Sequence, residues 1–81
     1  MFKVFGVKIN GAVKNCNECG GEDTVELIVN IQGLWSRCRR CGFTEWEWGW
    51  GDNIEYLKYL SEVFNISFEK LIQTLEEFHF Q

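Results

Sequence analysis

The four cysteines fall into two Cys-x2-Cys pairs, Cys16-Asn17-Glu18-Cys19 and Cys38-Arg39-Arg40-Cys41, with 18 residues between them and a glycine after each. No other feature constrains the fold as strongly. A two-residue interval lets a tight turn aim both thiols at one point. Two such turns supply four soft ligands, the tetrahedral set that zinc favours in closed structural sites. Gly20 and Gly42 take positive φ at little cost, which lets backbone N–H groups approach the sulfurs. For the pairs to meet, the segment between them must run out and back, so a hairpin is expected with both turns at one end. The chain has 81 residues, and domains of this size bury only about 60 % of their unfolded surface, so a metal, a disulfide or a partner is often needed. We expect a single domain over 1–81, with a β part over 1–50 and a helical part over 52–81.

Lys3 and Lys8 interrupt the apolar N-terminus, so no signal-peptide core is expected. No apolar run approaches the ~20 residues of a membrane span, and no membrane association is expected. The expected compartment is cytoplasmic, where paired cysteines bind metal more often than they form disulfides.

Val25, Leu27, Val29 and Ile31 alternate with Glu26, Ile28 and Asn30, the period of a half-buried strand. Gln32-Gly33 offers a turn, Leu34–Cys38 leads into the second pair, and Phe43–Trp48 reads as another strand. Val4–Ile9 is β-prone, and Asn10-Gly11 is a strong hairpin-turn dipeptide, so a first hairpin is expected to turn there. Gly49-Trp50-Gly51 ends the β part. Asp52 or Asn53 is a suitable N-cap for a helix over about 54–64. In that helix Glu55, Lys58 and Glu62 form one narrow charged stripe. Ile54, Tyr56, Leu57, Tyr59, Leu60, Val63 and Phe64 cover most of the rest, which predicts burial on more than one side. Ser67 caps a second helix with a one-sided stripe of Phe68, Leu71, Ile72, Leu75 and Phe78, and the short Asn65-Ile66 link makes the two a hairpin or an angled pair. The fold class is α+β: a small antiparallel sheet followed by a C-terminal two-helix segment.

Over about residues 13–48 the chain resembles the zinc ribbon, through Cys16-x-x-Cys19-Gly20 and Cys38-x-x-Cys41-Gly42. The resemblance implies an antiparallel sheet clamped at one end by two knuckles, with one structural Zn2+ on Cys16, Cys19, Cys38 and Cys41. Zinc ribbons occur in transcription, replication, translation and RNA-processing proteins, so a fold and a metal are implied more than an activity. In the transcription-elongation ribbons an acidic pair at the hairpin tip assists RNA cleavage. The tip here, Asn30-Ile31-Gln32-Gly33-Leu34, has no acid, and that activity does not carry over. Residues 52–81 lie outside the resemblance. Rubredoxin-like iron for electron transfer is a rival: four thiolates, an acidic chain and the nearby Trp35 fit it. The short loop between the pairs and a knuckle with two arginines and no proline do not. A redox dithiol would be expected within a βαβ pattern, which neither pair has.

Thirteen of the residues are aromatic, a heavy load for so small a core. Trp46, Trp48 and Trp50 recur at every second position, so on a regular strand they share one face, either as core beneath the helices or as a platform for bases or a protein. Residues 1–43 carry six basic and four acidic groups, whereas residues 44–81 carry two and eight. Arg37, Arg39 and Arg40, with Lys14 across the metal, form a small basic cluster that either offsets the metal site or holds a few phosphates. The acids of the second half oppose an extended nucleic-acid footprint. Residues 57–78 faintly resemble a helix-turn-helix, but the second helix is acidic, poor chemistry for a DNA groove. His79, the lone histidine, is expected to face solvent. No nucleophile–base arrangement or phosphate loop is evident, so no enzyme is expected.

These features favour a non-catalytic adaptor or regulator that binds a protein, within transcription or another nucleic-acid machine. Apolar residues in surplus over what one sheet face can bury, among them Trp50, Tyr56, Tyr59 and Phe80, are the expected contact or self-association surface. Its acidic rim suits a basic partner. Two alternatives stand beside it: direct nucleic-acid binding through the arginine knuckle and exposed tryptophans, and a small acidic inhibitor occupying a nucleic-acid site on its target.

Overall fold

The computed structural model describes residues 5–79. Four strands, β1 (Val7–Lys14), β2 (Val25–Asn30), β3 (Gly33–Cys38) and β4 (Thr44–Gly49), precede two helices, α1 (Glu55–Val63) and α2 (Phe68–His79). The strands form one sheet in the order β1-β2-β3-β4, every neighbour antiparallel. The α+β class is thus as expected from the sequence.

The register of β2 with β3 is regular, from Val25 opposite Cys38 to Asn30 opposite Gly33. It puts Val25, Leu27, Val29, Leu34, Ser36 and Cys38 on one face and Glu26, Ile28, Trp35 and Arg37 on the other. The helices cover the first face. Leu57, Leu60 and Phe64 of α1 and Leu71 and Leu75 of α2 join Leu27, Val29, Leu34 and Trp48 in the core, with Ile9 and Ala12 of β1 at its edge. On the second face Ile28 is also buried, because the chain before β1 crosses it. A Cβ on Gly6 would lie 2.5 Å from Ile28 Cγ2, so glycine is what permits the crossing. The Asn30 amide donates to Phe5 O at 3.0 Å and holds that segment in place.

Several expectations need correction. Asn10-Gly11 does not close a hairpin; both residues lie inside β1. There the register jumps from Lys8 opposite Ile28 to Val13 opposite Glu26. Gly11 sits at φ +84° within this irregularity, which brings both Ile9 and Ala12 into the core. The β1–β2 connection is instead made by the first cysteine turn. Between β2 and β3 the turn is Ile31-Gln32, one residue earlier than expected. Ile31 therefore leaves the alternating strand and is 85 % exposed. The three tryptophans do not share a face. Leu34 pairs with Trp48 but Trp35 pairs with Trp46, leaving Glu47 as an extra residue, and this bulge reverses the alternation. Finally, α1 buries one side only: Leu57, Leu60 and Phe64 are inside while Ile54, Tyr56 and Tyr59 are exposed.

The helix ends follow the local chemistry. Asn53 Oδ1 accepts from Glu55 N at 2.9 Å, while Asp52 turns back to accept from Gly49 N at 2.9 Å. At the other end of α1, Asn65 takes φ +57°. Ile66 N donates to Ser61 O and Asn65 N to Glu62 O, the paired bonds of a Schellman stop. The same residue ties the helix to the sheet edge: Asn65 Nδ2 donates to Val13 O, and Val13 N to Phe64 O. Ser67 caps α2 by accepting from Lys70 N at 3.1 Å. Among the described residues no helix is long and apolar enough to cross a membrane.

Candidate metal centre

The two cysteine turns are built alike. Cys16 N donates to Gly21 O and Gly20 N to Cys16 O; at the matching positions Cys38 N donates to Phe43 O and Gly42 N to Cys38 O. Gly20 and Gly42 sit at φ +73° and +81°. A Cβ on either would meet nothing within 4 Å, so the backbone conformation, not crowding, calls for glycine there. Arg39 N donates to Thr24 O at 2.8 Å and joins the two turns.

This geometry collects Cys16, Cys19, Cys38 and Cys41 so that all four Sγ atoms lie within 4.8 Å of one another. Cys16 to Cys41 and Cys19 to Cys38 are each 3.7 Å. A tetrahedral ion with bonds of about 2.3 Å to thiolate sulfur requires sulfurs about 3.8 Å apart. The cluster therefore has the size for one metal ion, and its sulfurs are too far apart for disulfides, whose S–S bond is about 2.05 Å. All four thiols are free. A four-sulfur cluster on an antiparallel sheet is consistent with a zinc-ribbon-like metal site.

The surroundings prepare the thiolates. Arg40 N and Cys41 N each point at Cys38 Sγ from 3.4 Å, and the Thr24 hydroxyl lies 3.3 Å from it. Burial pushes the Cys38 thiol up, but the Thr24 hydroxyl and the Cys41 and Arg40 N–H groups outweigh this and bring it down to about 5. Cys41 goes the other way. The Phe43 N–H favours its thiolate, but burial and the sulfurs of Cys38, Cys16 and Cys19 together push it up to about 12. Four sulfurs this close cannot all hold negative charge unaided; a bound cation is what lets the last of them ionise. Thr24 was not singled out in the sequence. Nothing in its local pattern marks it, because its role follows from the β2–β3 pairing that carries Cys38 to its side.

The four cations of the arginine cluster do not converge. Arg39 and Arg40 are exposed at the tip of the second turn. Arg37 lies opposite Glu26 and Thr44 on the face away from the helices. Lys14 lies opposite Val25 on the helix-covered face, with its ammonium 5.1 Å from the centre of the Phe64 ring. Of the candidate contact residues, Trp50 is half-buried, with its ring stacked on Phe78 and its Nε1 donating to Asn30 O at 3.1 Å. Tyr56 and Tyr59 are exposed neighbours with ring centres 5.4 Å apart. Phe80, and the side chain of His79, lie outside the described residues.

Comparison of the chain with known protein families, with curated proteins and with solved structures found no match.

Proposed function

We propose that the chain is a non-catalytic zinc-binding adaptor or regulator: one structural zinc on Cys16, Cys19, Cys38 and Cys41 fixes the sheet, and the helical half offers a surface to a protein partner. The observation that carries this reading is on α1. Tyr56 and Tyr59 remain 43 % and 56 % exposed although a core stands ready beneath the same helix. Large apolar and aromatic side chains left outside in a group are typical of a binding surface. The setting of the tyrosine pair is acidic. Burial raises the Tyr56 phenol above its ordinary value, with Glu47, Tyr59 and Glu45 adding to the rise. A partner with a basic surface suits such a place, as proteins that handle nucleic acid present. Transcription or another nucleic-acid machine is the setting that the zinc-ribbon resemblance supplies.

The dispersal of Lys14 and Arg37 to opposite faces leaves Arg39 and Arg40 as the pair for phosphate in the nucleic-acid reading, too few for an extended footprint. Affinity capture from the native organism tests the choice. Tyr56→Ala with Tyr59→Ala is expected to abolish complex formation with zinc still bound. Capture that survives this change and is lost in Arg39→Glu with Arg40→Glu would move the interface to the knuckle and overturn the reading.

A further inference from the structure

A groove of about 310 Å3 opens between the end of β4 and the two helices, lined by Trp48, Trp50, Ile54, Leu57, Ile72, Leu75 and Glu76. It lies on a different flank of α1 from Tyr56 and Tyr59, since residues 54 and 57 share a helical face that 56 and 59 do not. Its floor is firm. The Trp48 indole donates to Asn53 O at 3.1 Å, and Trp50 donates to Asn30 O, stacks on Phe78 and meets Trp48 edge-on at 5.5 Å. Both large rings are thus pinned from behind with apolar surface turned to the opening. The volume is at the lower end of the range for ligand pockets, about 300–1,000 Å3.

The charges around the groove select its occupant. Glu76 is the one charged residue in the lining, and the helical half, residues 52–81, carries six acids against two lysines. Neither lysine is placed to offset Glu76. Lys70 Nζ donates to Asn10 O on β1, and Lys58 Nζ lies 5.7 Å from the centre of the Phe68 ring. An apolar slot with a carboxylate at its rim, against which no cation sits among the described residues, favours an apolar anchor followed by a cation. A second copy docking the same face would set acid against acid.

We propose that this groove receives a segment of a partner protein that inserts large apolar side chains and places Lys or Arg against Glu76. This rests on the reading that the helical half binds protein, but names a surface of its own, so the two can fail separately.

The test uses a phage-displayed library of random 16-residue peptides, selected on the full zinc-loaded chain. The enriched peptides are then titrated into it, with the Trp48 and Trp50 indole N–H signals, the Ile54 and Ile72 methyl signals and the Tyr56 and Tyr59 ring signals followed by NMR. The expected result is enrichment of large apolar anchors flanked by Lys or Arg, with shifts centred on Trp48, Trp50, Ile54 and Ile72. Ile72→Glu is expected to weaken binding at least about tenfold. Glu76→Lys, at an exposed site where folding is not at stake, is expected to reverse the preference from basic to acidic peptides. No enriched peptides, acidic peptides selected by the unaltered chain, or indifference to Glu76→Lys would overturn the proposal. Groove signals that move with protein concentration alone would overturn it too, as they would identify a second copy as the occupant. Shifts confined to Tyr56 and Tyr59 would overturn the groove while leaving the adaptor reading intact.

Discussion

Trp46 and Trp48, two residues apart on β4, lie on opposite faces of the sheet: Trp48 is 5 % exposed beneath the helices and Trp46 is 49 % exposed on the other side. The bulge at Glu47 separates them by moving the pairing from Leu34–Trp48 to Trp35–Trp46. β4 is an edge strand, where bulges are common and discourage pairing with another chain.

The two tryptophans therefore differ in what they contribute. Trp48→Ala removes a core ring and is expected to destabilise by about 3–5 kcal/mol. Trp46→Ala is expected to change stability by about 0.5–1 kcal/mol or less, as surface substitutions do. Chemical denaturation of the zinc-loaded variants measures both. Similar losses at the two positions would mean that the tryptophans share one environment and that the bulge is wrong.

What the sequence made legible follows from how local each determinant is. The cysteine turns were readable because spacing and glycine fix them within a few residues. Ser67 as a cap and the Leu71–Leu75 stripe were readable for the same reason. The face of Trp46 was not, since it depends on one extra residue whose effect exists only when β3 is alongside. Asn10-Gly11 misled in a similar way: the dipeptide did produce a positive-φ glycine, but tertiary demand for both Ile9 and Ala12 used it as a bend within a strand. The groove was hidden because Trp48, Ile54 and Ile72 come together only through the helix pair, and Thr24 reaches Cys38 only through the sheet.

The glycine after the second cysteine pair provides a stereochemical test. Gly42 has positive φ and open space where a Cβ would be. Gly42→Ala is therefore expected to cost about 1–2 kcal/mol from backbone conformation alone. A D-alanine at the same position, introduced by chemical synthesis, is expected to restore that stability and the zinc affinity. Equal losses for the two enantiomers would point to crowding instead of handedness.

Glu47 gives a pH dependence. Burial raises its carboxyl above the ordinary value; Lys14 lowers it, Glu45 raises it, and a hydrogen bond with Ser36 lowers it, leaving a net rise. A carboxyl with a raised folded pKa binds more protons in the native state than in the unfolded chain. Its unfavourable contribution is therefore absent below the unfolded value and grows as pH rises through the folded one. Glu47→Gln is expected to stabilise the protein at neutral pH and to flatten the fall in stability between weakly acidic and neutral solution. Thermal melts of both forms across that range check it, and a variant less stable at neutral pH than the parent would contradict the assignment.

In the proposed reading a zinc ion on the four cysteines is central to the fold's stability. Structural zinc in small fingers is worth about 10–16 kcal/mol at neutral pH, against a whole-domain stability of about 5–15 kcal/mol. Cys38→Ser or Cys41→Ser is accordingly expected to leave the β part unfolded. The most direct measurement is the metal content of the freshly isolated chain, followed by circular dichroism as a chelator removes the ion. One zinc per folded chain, with the sheet signal lost on chelation and regained on adding zinc, is the predicted result. A well-folded chain holding less than one zinc, or a red iron form as isolated, would contradict it.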